Sequence, residues 1–209
     1  VAIAAGEWRR AFLWMTVALA VDAFDGMLAR AARVKEVLPH FDGTLLDNML
    51  DYLTYVIVPA FLIYRAGLLP ARFDLAGAAA ICLASGYQFC QSDAKTPDHW
   101  FKGFPSYWNV VAFYLFLGGL DPRANLALVA ILVVLVFVPL KWIYPSRMQR
   151  WRGITIALTC VWGALCIAML AQFPDPAPWL IYTSLGYIAY YISASLYLAP
   201  AGTADSGAA

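Results

Sequence analysis

The sequence predicts an all-α integral membrane protein, a polytopic bundle of about seven transmembrane helices. Three observations lead there. Hydrophobic residues make up 63% of the 209 residues and charged residues only 13%, against roughly 25% charged in soluble domains. Mean hydropathy is +0.68. The apolar residues also gather into stretches near bilayer-spanning length, separated by clusters of proline, glycine and charge. Fourteen Lys and Arg with thirteen Asp and Glu cannot clothe a water-facing surface. That excludes an ordinary soluble globule, a disordered chain and a disulfide-built secreted module. A formal net charge of +1 gives no reason to expect nucleic acid as a partner.

The elements follow in order. The opening VAIAAGEWRR reads as the tail of an earlier membrane helix. Apolar stretches then cover 11–30, 44–65, 73–92, 105–120, 124–141, 153–171 and 178–199. Of these, 105–120 is short and 73–92 is only moderately apolar. The breaks are LPHFDG, GLLPAR, SDAKTPDHWFKGFP, GGLDPR, YPSRMQRWRG and FPDPAP. Each combines residues that end helices with residues that seek water. There is no repeat and no long linker, so residues 1–199 read as one transmembrane domain. Residues 200–209, AGTADSGAA after Pro200, read as a disordered tail. Cys82, Cys90, Cys160 and Cys166 form no CxxC pair and read as small core hydrophobes.

Lysine and arginine set the orientation. One side carries Arg30, Arg33, Lys35, Lys95, Lys102, Lys141, Arg147, Arg150 and Arg152. The other carries Arg9, Arg10, Arg65, Arg72 and Arg123. The richer side is expected to be cytoplasmic, together with the C-terminus.

Acidic residues separate into two groups. Most fall in breaks or at helix ends. Asp22, Asp25, Asp47 and Asp51 fall within apolar stretches, where an ionised side chain is costly and marks a site. Asp22 and Asp25 are spaced i,i+3, with Gly26 and Ala29 on the same helix face. On the next helix Gly43, Asp47, Asp51 and Tyr55 recur every four residues. A tight connection lets the two faces converge. Gathered carboxylates repel unless protonated or bridged by cations, and hard oxygen donors suit Mg²⁺ or Mn²⁺ beside substrate phosphates. Gly26 and Gly43 let a bulky ligand approach backbone, and Arg30 offers a planar fork for phosphate oxygens.

The runs DAFDGMLAR and GTLLDNMLD resemble the signature of the CDP-alcohol phosphatidyltransferases, D-x2-D-G-x2-A-R followed by G-x3-D-x3-D. Its eight fixed positions are Asp22, Asp25, Gly26, Ala29, Arg30, Gly43, Asp47 and Asp51. The spacer from Ala31 to Asp42 has twelve residues, longer than in most members. That spacer, with KGFPSYWNVVAFYL and PLKWIYPSR downstream, is similar to the bacterial phosphatidylcholine synthase branch. The resemblance implies transfer of a phosphatidyl group from CDP-diacylglycerol to choline, giving phosphatidylcholine and CMP, with Mn²⁺ or Mg²⁺ as cofactor. It implies metal ligation by Asp22, Asp25 and Asp47, with Asp51 as the general base that also touches metal. Asp22, Gly26, Ala29, Arg30 and Gly43 would bind the CDP group. It further implies a bacterial inner (cytoplasmic) membrane protein whose site faces the cytoplasm, in a family where homodimers are common.

Choline is a permanent cation, well held by aromatic faces. The candidates are Tyr52 and Tyr55 beside the carboxylate stripe, with Tyr107, Trp108 and Asn109 in PSYWN. His40 and His99 lie in breaks and are not expected to act. The competing readings are a same-family transferase for serine, glycerol phosphate or inositol phosphate, and a divalent-cation carrier using the four aspartates. Few cations follow Asp51 within the spans, which favours an acceptor without carboxylate or phosphate. The Gly/Ala/Arg pattern and the position near the membrane boundary disfavour a carrier.

Overall fold

Helix α1, Trp8–Ala31, runs without proline and stops where Arg33 turns into the left-handed region at φ 48°. In the computed structural model, which describes residues 1–94, 96, 100–145, 148 and 150–199, a single turn, α2 (Val34–Val37), follows. Asp42 then caps α3, Gly43–Tyr52, its carboxylate accepting from the Leu45 amide at 2.9 Å. This satisfies one of the amides orphaned at a helix start. One π-helical turn, Leu53–Ile57, joins α3 to α4, Val58–Arg65, giving a continuous rod over Gly43–Arg65. The remaining helices are α5 (Asp74–Cys90), α6 (Trp108–Leu117), α7 (Pro122–Phe137), α8 (Arg152–Ala171) and α9 (Pro178–Leu198). Asp121 caps α7 by accepting from the Arg123 amide at 2.8 Å, and Pro122 occupies a first-turn position that needs no N–H.

Among the described residues, seven helical rods therefore match the seven apolar stretches once α2 is set aside. Three of them, Trp8–Ala31, Gly43–Arg65 and Arg152–Ala171, are long and apolar enough to cross a membrane. Helices α6 and α7 are apolar but shorter. The all-α expectation needs one correction. Strands β1 (Trp100–Lys102) and β2 (Lys141–Ile143) pair antiparallel, with Phe101 opposite Trp142 and Lys102 opposite Lys141. This ribbon shortens two expected helices. The 105–120 stretch becomes helical only at Trp108. The 124–141 stretch leaves helix after Phe137, where Pro139 precedes β2. Gly103, at φ +78°, makes the close approach: a Cβ there would run into the Val136 carbonyl oxygen. The expected tail, 200–209, lies outside the described residues.

The packing is that of a helical membrane protein. Leu62, Ile63, Ile81, Trp108, Leu115 and Val129 form the interior. Large apolar side chains also face outward, including Val21 and Leu28 on α1, Val161 and Ile167 on α8, and Trp179 and Tyr182 on α9. In the most apolar windows of α1 and α8 only 17% of residues are buried. Lipid is as apolar as the core, so helix association there rests on close packing and interhelical hydrogen bonds, each averaging about 0.6 kcal/mol. Helices α8 and α9 are joined by such bonds, among them Thr155–Tyr190 at 2.7 Å and Thr159–Tyr187 at 2.8 Å. The four cysteines are unpaired. Cys82 and Cys166 are half-buried, whereas Cys90 and Cys160 are exposed, so the expectation of four core residues is corrected for the last two.

Candidate active site

Two rods build the site. Asp22 projects from α1; Asp47 and Asp51 project one turn apart from α3. One carboxylate oxygen from each lies within 4.8 Å of the others, and all three residues are half-buried. Residues every four positions along an ideal α-helix drift by about 40° per step, because 3.6 residues make a turn. Unchecked, that drift would carry Tyr55 away from the face of Asp47 and Asp51. The π-turn over Leu53–Ile57 underwinds the rod at this point, and the Val58 amide reaches back five residues to Leu53. Pro59 supplies a cause: it has no N–H, and its ring crowds the carbonyl four residues back, that of Tyr55. Tyr55 thus stays in reach of α1, and its hydroxyl donates to Asp22 Oδ2 at 2.7 Å. That bond orients the Asp22 carboxylate toward its partners on α3.

The rest of the signature surrounds this cluster. Asp25 is half-buried one turn beyond Asp22, outside the 4.8 Å group. The Arg30 guanidinium lies over Gly26, where a Cβ would stand 3.3 Å from its Nη1. Ala29, Arg30 and Gly43 are exposed, and space is open around the Gly43 Cα. A cradle of small residues and one guanidinium therefore borders three carboxylates. This donor set, three carboxylates that offer oxygen ligands only, fits a hard divalent cation.

The five aromatic and amide candidates separate. Tyr55 joins the cluster. The half-buried Tyr107 ring lies 6.3 Å from that of Tyr55, and its hydroxyl is within electrostatic reach of Asp22 and Asp51. Tyr52 turns the other way, donating to the Cys82 carbonyl at 2.8 Å and meeting Phe89 edge-on. Trp108 is 0% exposed and its indole N–H is committed to Ser85 Oγ at 2.8 Å, so it belongs to the core. Asn109 bonds the Val110 amide and lines a cleft of about 270 Å³ between α1, α6 and α8. The walls of that cleft are otherwise almost wholly apolar: Met15, Leu19, Phe113 and Ile167 are among them. Ala23, next to Asp22 in sequence, also lines this cleft. His40 is exposed, and His99, Lys95 and Arg147 lie outside the described residues.

Sequence reasoning missed Phe101, Tyr144 and Tyr191 as neighbours of Tyr107. Phe101 and Tyr144 have ring centroids 4.6 Å apart, Phe101 and Tyr107 6.3 Å, and Tyr191 contacts Tyr107. The only local signal was the alternation of rings with lysines in WFK and KWIY, too short to mark a ribbon.

No protein-family model matches the chain. Curated relatives do. A protein of Legionella pneumophila called phosphatidylcholine synthase is 44% identical over 193 residues, covering 88% of this chain and 76% of its own length. One of the same name from Pseudomonas aeruginosa is 41% identical over 88% of this chain and 78% of its own. Another, from Borreliella burgdorferi, is 34% identical over 95% of this chain and 86% of its own.

Proposed function

The chain belongs to the phosphatidylcholine synthase family, and from that premise we propose how its own residues carry the reaction. The substrates are CDP-diacylglycerol and choline, and the products are phosphatidylcholine and CMP. The observation that carries the reading is the convergence of Asp22, Asp47 and Asp51 from two rods onto one point.

Asp22, Asp47 and Asp51 hold a divalent cation, Mn²⁺ or Mg²⁺, with Asp25 as a further ligand toward the nucleotide. When bound, the cation offsets charge on the pyrophosphate and on the departing CMP. The Arg30 guanidinium grips phosphate oxygens as a fork. Gly26, Ala29 and Gly43 keep the helix faces shallow, so that the nucleotide lies against backbone. The apolar cleft beside Ala23 receives acyl chain while the cytidine stays in water.

Asp51 is the general base. The choline hydroxyl oxygen forms a bond to the β-phosphorus, the bond from that phosphorus to the CMP oxygen breaks, and the hydroxyl proton passes to Asp51. CMP leaves with the electron pair. Positioned carboxylate bases contribute about 10²–10⁴ in rate. Tyr55 acts through Asp22, holding that carboxylate in place. The reading also includes seven membrane crossings in a bacterial inner membrane, the lysine- and arginine-rich side and the site facing the cytoplasm, with a homodimer as the assembly.

The test uses the purified chain in detergent with CDP-diacylglycerol and Mn²⁺. Each labelled alcohol is supplied in turn: choline, serine, glycerol phosphate and inositol phosphate. CMP release with choline alone is expected, and chelation is expected to stop it. Release with serine alone would overturn the acceptor but keep the carboxylate site. Mn²⁺ transport into vesicles without CMP release would replace the reading by a carrier.

A further inference from the structure

The β1–β2 ribbon has no part in the chemistry described so far. Side chains alternate across a strand, and directly paired residues share a face. Phe101 and Trp142 are paired, and Tyr144 follows Trp142 by two, so these three rings share one face. The paired Lys102 and Lys141 share the opposite face, and Lys102 is engaged by Asp93 at 2.7 Å. Phe101, Trp142 and Tyr144 thus share one side of the ribbon, and both ammonium groups lie on the other, together with Trp100.

The ring face meets the carboxylate site. Tyr144 lies against Phe101 (4.6 Å), Phe101 against Tyr107 (6.3 Å, nearly perpendicular), and Tyr107 against Tyr55 (6.3 Å). Tyr55 ends this chain of rings with its hydroxyl on Asp22. From α9, Tyr191 contacts Tyr107 and donates to the Ile143 carbonyl at 3.0 Å, closing the side of the cluster.

Tyr107 is held in place from beneath. Ser106 precedes it in the left-handed region at φ 56°, an uncommon conformation for a residue with a Cβ. The Ser106 hydroxyl bonds Gln88 Oε1 at 2.6 Å and Ser85 Oγ at 3.0 Å, both fully inside the core. Backbone held this way beside a ligand site indicates a ring set in position before the ligand arrives.

We infer that Tyr107, Phe101 and Tyr144, flanked by Tyr55 and Tyr191, are the seat of the quaternary ammonium and set the choice of acceptor alcohol. The inference rests on the transferase reading above. A quaternary ammonium has no N–H to satisfy, so ring faces suit it, and nearby Asp22 and Asp51 add attraction. A primary ammonium gives up hydrogen bonds to water when it is set against ring faces, which costs affinity. Serine also brings a carboxylate toward Asp22 and Asp51, and like charges repel. The cluster therefore selects choline by chemistry.

The test measures phosphatidyl transfer by the full chain in mixed micelles of CDP-diacylglycerol with Mn²⁺. The acceptors are choline, ethanolamine and the neutral choline isostere 3,3-dimethylbutan-1-ol. Tyr107→Leu and Phe101→Leu are expected to raise the KM for choline about 10-fold, as loss of a desolvated cation–ring contact predicts. They should leave the KM for CDP-diacylglycerol unchanged and narrow the preference for choline over its isostere. Tyr107→Phe should keep that preference. On the unaltered protein, tetramethylammonium is expected to compete with choline and not with CDP-diacylglycerol, which needs no variant to fold. An unmoved choline KM in both leucine variants, or tetramethylammonium that fails to compete with choline, would overturn the inference while leaving the transferase reading intact. Absence of any transfer to choline by the unaltered protein would instead overturn the transferase reading.

Discussion

The two halves of α1 obey the same helical period but do opposite work. In the first half Ala11, Phe12 and Met15 are buried, and Phe12 meets Phe113 at 5.3 Å, Phe116 at 5.6 Å and Phe173 at 6.0 Å. In the second half no residue is fully buried, and that half carries Asp22, Asp25, Gly26, Ala29 and Arg30. Helix α3, which faces it, likewise has no buried residue. A closed, aromatic end fixes the rods, and an open end leaves room for a charged ligand between them. Carboxylates gathered at the open end cost stability when nothing binds them. The closed end compensates through dense packing.

Four substitutions break or sharpen this contrast. The largest effect is expected at the open end: Asp51→Asn should lower kcat by about 10²–10⁴-fold, with thermal stability and nucleotide binding retained. Equal loss of binding and turnover would make Asp51 chiefly a ligand. At the closed end, Leu62→Ala removes a side chain with no exposure. It should cost about 2–5 kcal/mol in denaturant titration while the folded fraction keeps its kcat. A fall in kcat would show that the ends are not separable. Gly103→Ala tests the junction. The new Cβ meets the Val136 carbonyl oxygen at a positive φ, and about 1–3 kcal/mol of destabilisation is expected. Unchanged stability would mean that the ribbon yields there. The smallest effect is expected for Tyr55→Phe, which deletes only the hydroxyl on Asp22. Metal affinity should weaken about 10-fold, as when an outer hydrogen bond to a ligand is lost, read from the Mn²⁺ dependence of CMP release. An unmoved dependence would deny Tyr55 its orienting role.

Much of the site was legible before any coordinates. Ionised groups are so costly in apolar helices that Asp22, Asp47 and Asp51 stood out by position alone, and their spacing put them on facing stripes. The choline candidates were less legible. Tyr52 and Tyr55 both adjoin the stripe in sequence, yet three residues of helix and a π-turn send one to α5 and the other to α1. Tyr107 and Trp108 are neighbours in sequence, yet one ring faces the carboxylates and the other fills the core. Aromatic residues are too common in membrane helices for composition to tell lining from packing.

The sequence by itself determined the solvent the helices live in, the approximate position of every rod and the carboxylates that form the cluster. Hydropathy, helix breakers and the price of buried charge are local properties, readable residue by residue. Tertiary structure alone decided that WFK and KWIY pair across forty residues, that a π-turn keeps Tyr55 on Asp22, and which rings face the site. Those outcomes depend on contacts between distant segments, and a three-residue strand carries too little intrinsic preference to announce its partner.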